Sequence, residues 1–242
     1  MTQLGYPPAI KMLTPLLEDK SSRVKTNVAM ALWKFGGLRM ISYLEKMLST
    51  GINKWDRASA AYALGEIGGF QAMSTLLSSL HDRKSEVKRN VIRSLGKVGD
   101  MEISSRLLKF LEDKDPLVRA NTLEAVGLLG GEQYFNVIVA RLLQETDEAV
   151  LDKATVVLEH LVETGSEEIV VTLKDLLFSA SEPVKLALLK AFQKHGTHWS
   201  PVFKVEIIMD LHNLMTADNS KLVKAAARKA TKAIRKEKKG RK

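Results

Sequence analysis

Few side chains in this 242-residue sequence could do chemistry. It holds five histidines and no cysteine. His195 and His198 form an H-x-x-H pair within HGTHWSP, but no cysteine and no carboxylate motif stands nearby to complete a tetrahedral metal set. His81, His160 and His212 are isolated. The phrases GEIGG and GKVGD lack the Lys-Ser/Thr that follows a phosphate loop. No Ser/His/Asp set can be named from chain order alone. The sequence therefore nominates no catalytic residue, no metal ligands and no cofactor, and an enzyme is not expected.

Side chains suited to binding are more plentiful. Met30, Trp33, Tyr62, Arg89, Arg93 and Lys97 are of the aromatic, Met and cationic types that anchor protein interfaces. Lys224, Arg228, Lys229, Lys232 and Arg235 belong to a C-terminal run that could hold an anion: nucleic acid, an acidic lipid or an acidic protein. The run has no interleaved aromatics, so base stacking is not expected. The net charge of +9 arises there. Residues 221–242 carry 11 Lys/Arg against one Glu. Residues 1–110 carry 17 basic against 9 acidic side chains, and residues 111–220 carry 9 against 18. A groove basic at one end and acidic at the other suits a protein of complementary charge better than a uniform phosphate track.

What places these residues is an internal repeat. MALWKFGG, YALGEIGG, RSLGKVGD and AVGLLGG return at a near-constant interval. The closing glycines Gly36, Gly68, Gly99, Gly130 and Gly196 stand 32, 31, 31 and 66 residues apart. A fixed period in this range marks a repeat array. Twelve residues before each glycine stands a register residue: Val24, Asp56, Val87, Val118 and Val184. Val150 and Val223 hold the same place in the fifth and seventh units. Three residues earlier come Ser21, Asn53, Lys84, Asp115, Asp147, Ser181 and Ser220, mostly helix N-cap types. Apolar residues then recur at helical spacing, as at Val87, Val91, Leu95 and Val98. Each glycine is expected to end its helix in a left-handed conformation. A second apolar helix precedes each cap, as in ISYLEKMLST, and no strand pattern occurs.

These phrases, with EDKDPLVRANTLEAVG at 112–127, resemble the HEAT-repeat family, especially its short bacterial, phycobilisome-lyase-like variety. The resemblance covers residues 7 to about 235. It implies an all-α, right-handed α-α superhelix of about seven helix pairs, with units at 7–37, 38–69, 70–100, 101–131, 132–165, 166–196 and 202–235. A basic tail follows at 236–242. Unit five lacks the glycine, and HGTHWSP makes a longer join where stacking is expected to kink. Leu4-Gly5 sits where a previous unit would end, so the chain is expected either to come from a longer array or to lack an N-terminal cap. An uncovered apolar face there would favour self-association.

The resemblance also implies roles. The residue after each register position is basic in six units (Lys25, Arg57, Lys88, Arg119, Lys185, Lys224), and Asp19, Asp82 and Asp113 lie in the turns. In related repeats such residues form a structural ladder. A polar row of Asn27, Ser59, Asn90 and Asn121 has two readings: packing between neighbouring second helices, which is favoured, or the peptide-gripping Asn row of armadillo proteins. The His-Glu pairs that HEAT hydroxylases use for iron are absent, Glu159-His160 being reversed and single. The expected function is a non-catalytic, cytoplasmic scaffold or adaptor that grips a protein along its concave face. Nucleic-acid binding through the basic C-terminal helix and basic N-terminal half is the alternative. A bilin-lyase-like enzyme is a third, by family analogy alone. No signal peptide and no membrane-crossing stretch is expected.

Overall fold

The computed structural model describes residues 7–99, 101–130 and 132–235. Leu4, Gly5 and the tail at 236–242 lie outside them. Among the described residues are fourteen α-helices and no strand. The fold is all-α, a solenoid of helix pairs. The chain divides into two compact units within one helix, between Ala125 and Val126.

The first unit begins with α1 (Pro7–Leu13), extended by a 3-10 turn at Thr14–Glu18. Pro15 stands at the start of that turn, where a missing N–H costs little. Then come α2 (Ser22–Lys34), α3 (Arg39–Thr50), α4 (Lys54–Ile67), α5 (Gly69–Ser78), α6 (Ser85–Val98) and α7 (Met101–Leu107). A 3-10 turn at Leu108–Glu112 leads into α8 (Pro116–Gly130). The core is one residue set repeated: Val28 and Leu32 of α2, Ala60 and Leu64 of α4, Val91 and Leu95 of α6. The two members of each set stand four residues apart, on the stripe that lets a helix bury one face.

The second unit holds the rest of α8, then α9 (Phe135–Gln144), α10 (Glu148–Thr164), α11 (Glu167–Ser179), α12 (Glu182–His195), α13 (Pro201–Ala217) and α14 (Lys221–Ile234). The HGTHWSP join packs tightly. Its Trp199 ring stands edge-on to Phe192 and to Phe203, each centroid 5.3 Å away. Gly196 lies so close to α14 that a Cβ there would sit 2.5 Å from Ile234 Cγ1.

Caps form at Ser21, Asn53, Asp115, Asp147 and Ser220, whose side-chain oxygens accept from N–H groups of the following turn. Ser181 differs from expectation and makes no such bond. The glycine rule needs a larger correction. Gly36 (φ +90°) and Gly68 (φ +69°) are left-handed, but Gly99 (φ −83°) and Gly196 (φ −62°) are not.

Other glycines act by close packing. A Cβ on Gly65 would lie 2.4 Å from Ser94 Oγ, and one on Gly96 would lie 2.7 Å from the Ala125 Cβ. In the second unit, a Cβ on Gly127 would meet Val157 Cγ1 at 2.4 Å. All three stand nine residues past the register position, where successive second helices touch.

Candidate functional site

The turns between paired helices carry the expected ladder. Arg57 donates Nε to Asp82 at 2.7 Å and Nη2 to its other oxygen at 3.1 Å. Lys88 pairs with Asp113, and Lys185 with Asp218 at 2.7 Å. In each case the cation belongs to one pair and the carboxylate to the turn of the next. Each carboxylate also accepts an N–H of its own turn: Lys84 for Asp82, Asp115 for Asp113, Ser220 for Asp218. The first step departs from the rule. Gly51 stands where that Asp should be, and Lys25 pairs instead with Asp56 at 2.8 Å. Asp19 holds only its own turn, accepting from Ser21 N–H.

Burial opposes ionisation of Asp56, Asp82 and Asp113 and is the largest single influence on each. Together, the bonds and charges of Lys25, Arg57 and Lys88 and the further bonds from Ser22 and the backbone N–H groups of Lys84 and Asp115 outweigh it and hold all three below the ordinary Asp range. Asp218 is also held low, first by its bond from Lys185. These side chains are spent on structure.

The exposed face of α2 and α4 brings Met30, Trp33 and Tyr62 of the nominated residues together. Asn27, Met30, Trp33 and Lys34 of α2 face Tyr62, Glu66 and Ile67 of α4 across a shallow cleft of about 350 Å³. Trp33 stands nine residues past Val24, the place held by Gly65 and Gly96 farther along. Where those glycines let second helices touch, α2 carries an indole that lines the opening toward α4. Met30 and Trp33 are half-buried walls, and Tyr62 is 41% exposed at the rim.

Charge is unevenly spent on this face. Lys97 of α6 donates to Glu66 at 2.7 Å. That bond, foremost, holds the Glu66 carboxyl below the usual range, helped by the Tyr62 hydroxyl and the nearby Arg93 charge. Both residues stand ten past the register position, with opposite signs in neighbouring units, a signal present in the sequence. Arg89, Arg93 and Lys34 form no ion pair with a described residue.

Two members of the polar row bond to their own helices. Asn90 donates to the Glu86 carbonyl and Asn121 to the Leu117 carbonyl, each four residues back in its own helix, at 2.8 and 2.7 Å. Ser59 is half-buried and Asn27 exposed. The row forms no shared array of free amides.

In the second unit, Glu159 of α10 accepts from Lys194 at 2.8 Å and lies 3.5 Å from Lys190. His195 is buried, and its Nε2 finds no partner among the described protein groups. His198 is exposed and turns its Nδ1 toward the His195 carbonyl at 3.3 Å. No group of three or more His, Asp or Glu among the described residues could hold a metal ion. Lys224 is half-buried on α14, while Arg228, Lys229, Lys232 and Arg235 are exposed. On the first pair, Ile10, Met12 and Leu16 are exposed apolar residues. No described helix is long and apolar enough to cross a membrane.

The model of HEAT repeats matches residues 1–65 and 73–159. Among solved structures, the archaeal HEAT-like repeats protein from Thermococcus onnurineus NA1 is similar with a TM-score of 0.54 and 14% identity, covering 93% of this chain and 96% of that one. An engineered protein gives a TM-score of 0.51 and 20% identity over 94% of this chain and 68% of its own. The complex of CpcE and CpcF of phycocyanin lyase from Nostoc sp. PCC7120 gives 0.48 and 15% identity over 93% and 94%. No curated protein matches.

Proposed function

This chain belongs to the HEAT-repeat family, and from that premise we propose that it is a cytoplasmic, non-catalytic adaptor that holds a protein partner across the exposed face of α2, α4 and α6. The observation that supports this reading is the Trp33–Tyr62 cleft, whose Glu66 lies within reach of the Arg93 charge. An apolar pocket walled by Met30 and Trp33 takes one anchoring side chain, the kind of contact that dominates binding energy. Arg89, Arg93 and Lys34 then favour carboxylates flanking that anchor. The partner segment is accordingly acidic, with an aliphatic or aromatic residue at its centre. Electrostatic complementarity of this sort steers encounter and fixes register more than it adds affinity.

The test is affinity capture from native cell extract at low and high salt, followed by titration of the captured partner against the purified chain. Replacing Tyr62→Ala together with Arg93→Glu should weaken binding by about 30-fold, the loss of about 2 kcal/mol expected of an interface anchor. Far-UV circular dichroism should be unchanged, because both side chains are exposed. Equal affinity in a variant with unchanged dichroism removes this face from the interface.

A further inference from the structure

The last described helix, α14, differs from the other second helices. From Lys221 to Arg235 it carries six Lys/Arg and no Asp or Glu. Its apolar stripe, Val223, Ala227, Ala230 and Ile234, is buried. Five residues past the register position, α2, α4, α6 and α12 have Ala29, Ala61, Ile92 and Leu189, all buried. In α14 that place is Arg228, and it is exposed. Arg235 stands where α12 is followed by Gly196, itself buried against Ile234. The flank that elsewhere receives the next helix is here cationic.

Projected at about 100° per residue, Lys221, Lys224, Arg228, Lys232 and Arg235 fall within a sector of roughly 80°. Lys229 lies off this sector. The five recur every three or four residues, at roughly 5–6 Å, over about 21 Å of helix. The nearby Asp218 is already bonded to Lys185, and its charge also acts on Lys224. Arg228, Lys232 and Arg235 have no carboxylate partner among the described residues.

We infer that this flank of α14 binds the phosphate backbone of a nucleic-acid duplex without regard to sequence. One strand of a duplex presents a phosphate every ~3.4 Å along the axis, so about six lie beside a helix face of this length. A straight row of cations with no interspersed acid matches that track. The row holds no aromatic side chain, so it lacks the stacking platform that single strands use. Surface helices that enter a bilayer keep an apolar face free. The apolar face of α14 is spent on the core, and Leu222 is its one large exposed apolar side chain.

The experiment is fluorescence anisotropy of the full chain with a random-sequence DNA duplex of about two turns, between about 50 and 200 mM salt. Four to five phosphate contacts give a log–log slope of about −4, hence a loss of roughly 250-fold across that range. The Arg228→Gln/Lys232→Gln/Arg235→Gln variant should cut the slope to about −2 and weaken binding more than tenfold at low salt, with far-UV dichroism unchanged. A chain lacking 236–242 should retain the sensitivity to those three substitutions. Binding by the triple variant equal to wild type overturns the assignment. So does failure to bind duplex at low salt, including the case where anionic vesicles or polyglutamate are bound instead. The groove on α2, α4 and α6 takes no part in this site, so the two proposals fail separately.

Discussion

Lys185 and Asp218, on α12 and in the turn before α14, lie 2.7 Å apart, and the same carboxylate accepts the Ser220 N–H at 2.8 Å. One side chain thus closes its own turn and ties that turn to the helix pair before it. Asp82 does the same for Arg57.

Removing that double role should cost more than a surface ion pair. Asp82→Ala leaves the Arg57 guanidinium without its carboxylate and frees the Lys84 N–H, and is expected to destabilise by about 1–3 kcal/mol in urea unfolding. A surface pair alone would cost up to about 1 kcal/mol.

The same carboxylates set an acid limit. Asp56, Asp82, Asp113 and Asp218 have folded-state pKa values below the ordinary 3.8. Their contribution is therefore complete above the unfolded value and is lost as pH falls through the lower folded values. Stability should hold from neutrality to about pH 4–5 and drop steeply below, and Asp82→Asn should flatten that drop in a melting-temperature profile.

At alkaline pH the sign reverses for Lys174. This buried amine donates to Glu206 at 2.6 Å and lies 3.1 Å from Asp210. Burial pulls its pKa down most strongly, but the two carboxylates overcome it and raise the value above 10.5. Its stabilisation is full below the unfolded value and lost as pH climbs through the folded one. Lys174→Met should reduce the alkaline part of the melting profile and leave the acid part intact.

Close packing supplies another test. Gly65→Ala puts a Cβ 3.0 Å from the Ser94 Cα, a backbone atom that cannot swing aside. Overpacking of this kind costs about 1–3 kcal/mol, more than the gain of up to about 1 kcal/mol from replacing a glycine. Calorimetry should show a lower melting temperature.

On the groove, Lys97→Met should return the Glu66 carboxyl toward its ordinary value of 4.5, because the Lys97 bond is the largest cause of its depression. Carboxyl-carbon NMR titration reads this directly.

The repeat, the helix pairs and the ladder were legible because each rests on local rules repeated at one period. Asn53 and Asp115 cap where cap types stand, and Arg57 finds Asp82 because both recur in register. The glycines were only half legible. Gly36 and Gly99 hold equal places in the phrase, yet of the two only Gly36 is left-handed. Trp33 read as a binding aromatic, and it lines the cleft from the place that Gly65 holds against Ser94 in the next unit. The Asn row was less legible, because a mid-helix amide can also donate to its own backbone, as Asn90 does to Glu86.

The ring chain from Phe192 through Trp199 to Phe203 has a mechanical corollary. It rivets α12 to α13, and Ile234 wedged on Gly196 bolts α14 to the same joint. Tension applied at the C-terminal end should therefore not peel one helix pair at a time there. The last three helices should come away in a single larger step, and softer, uniform steps should follow only beyond that weld.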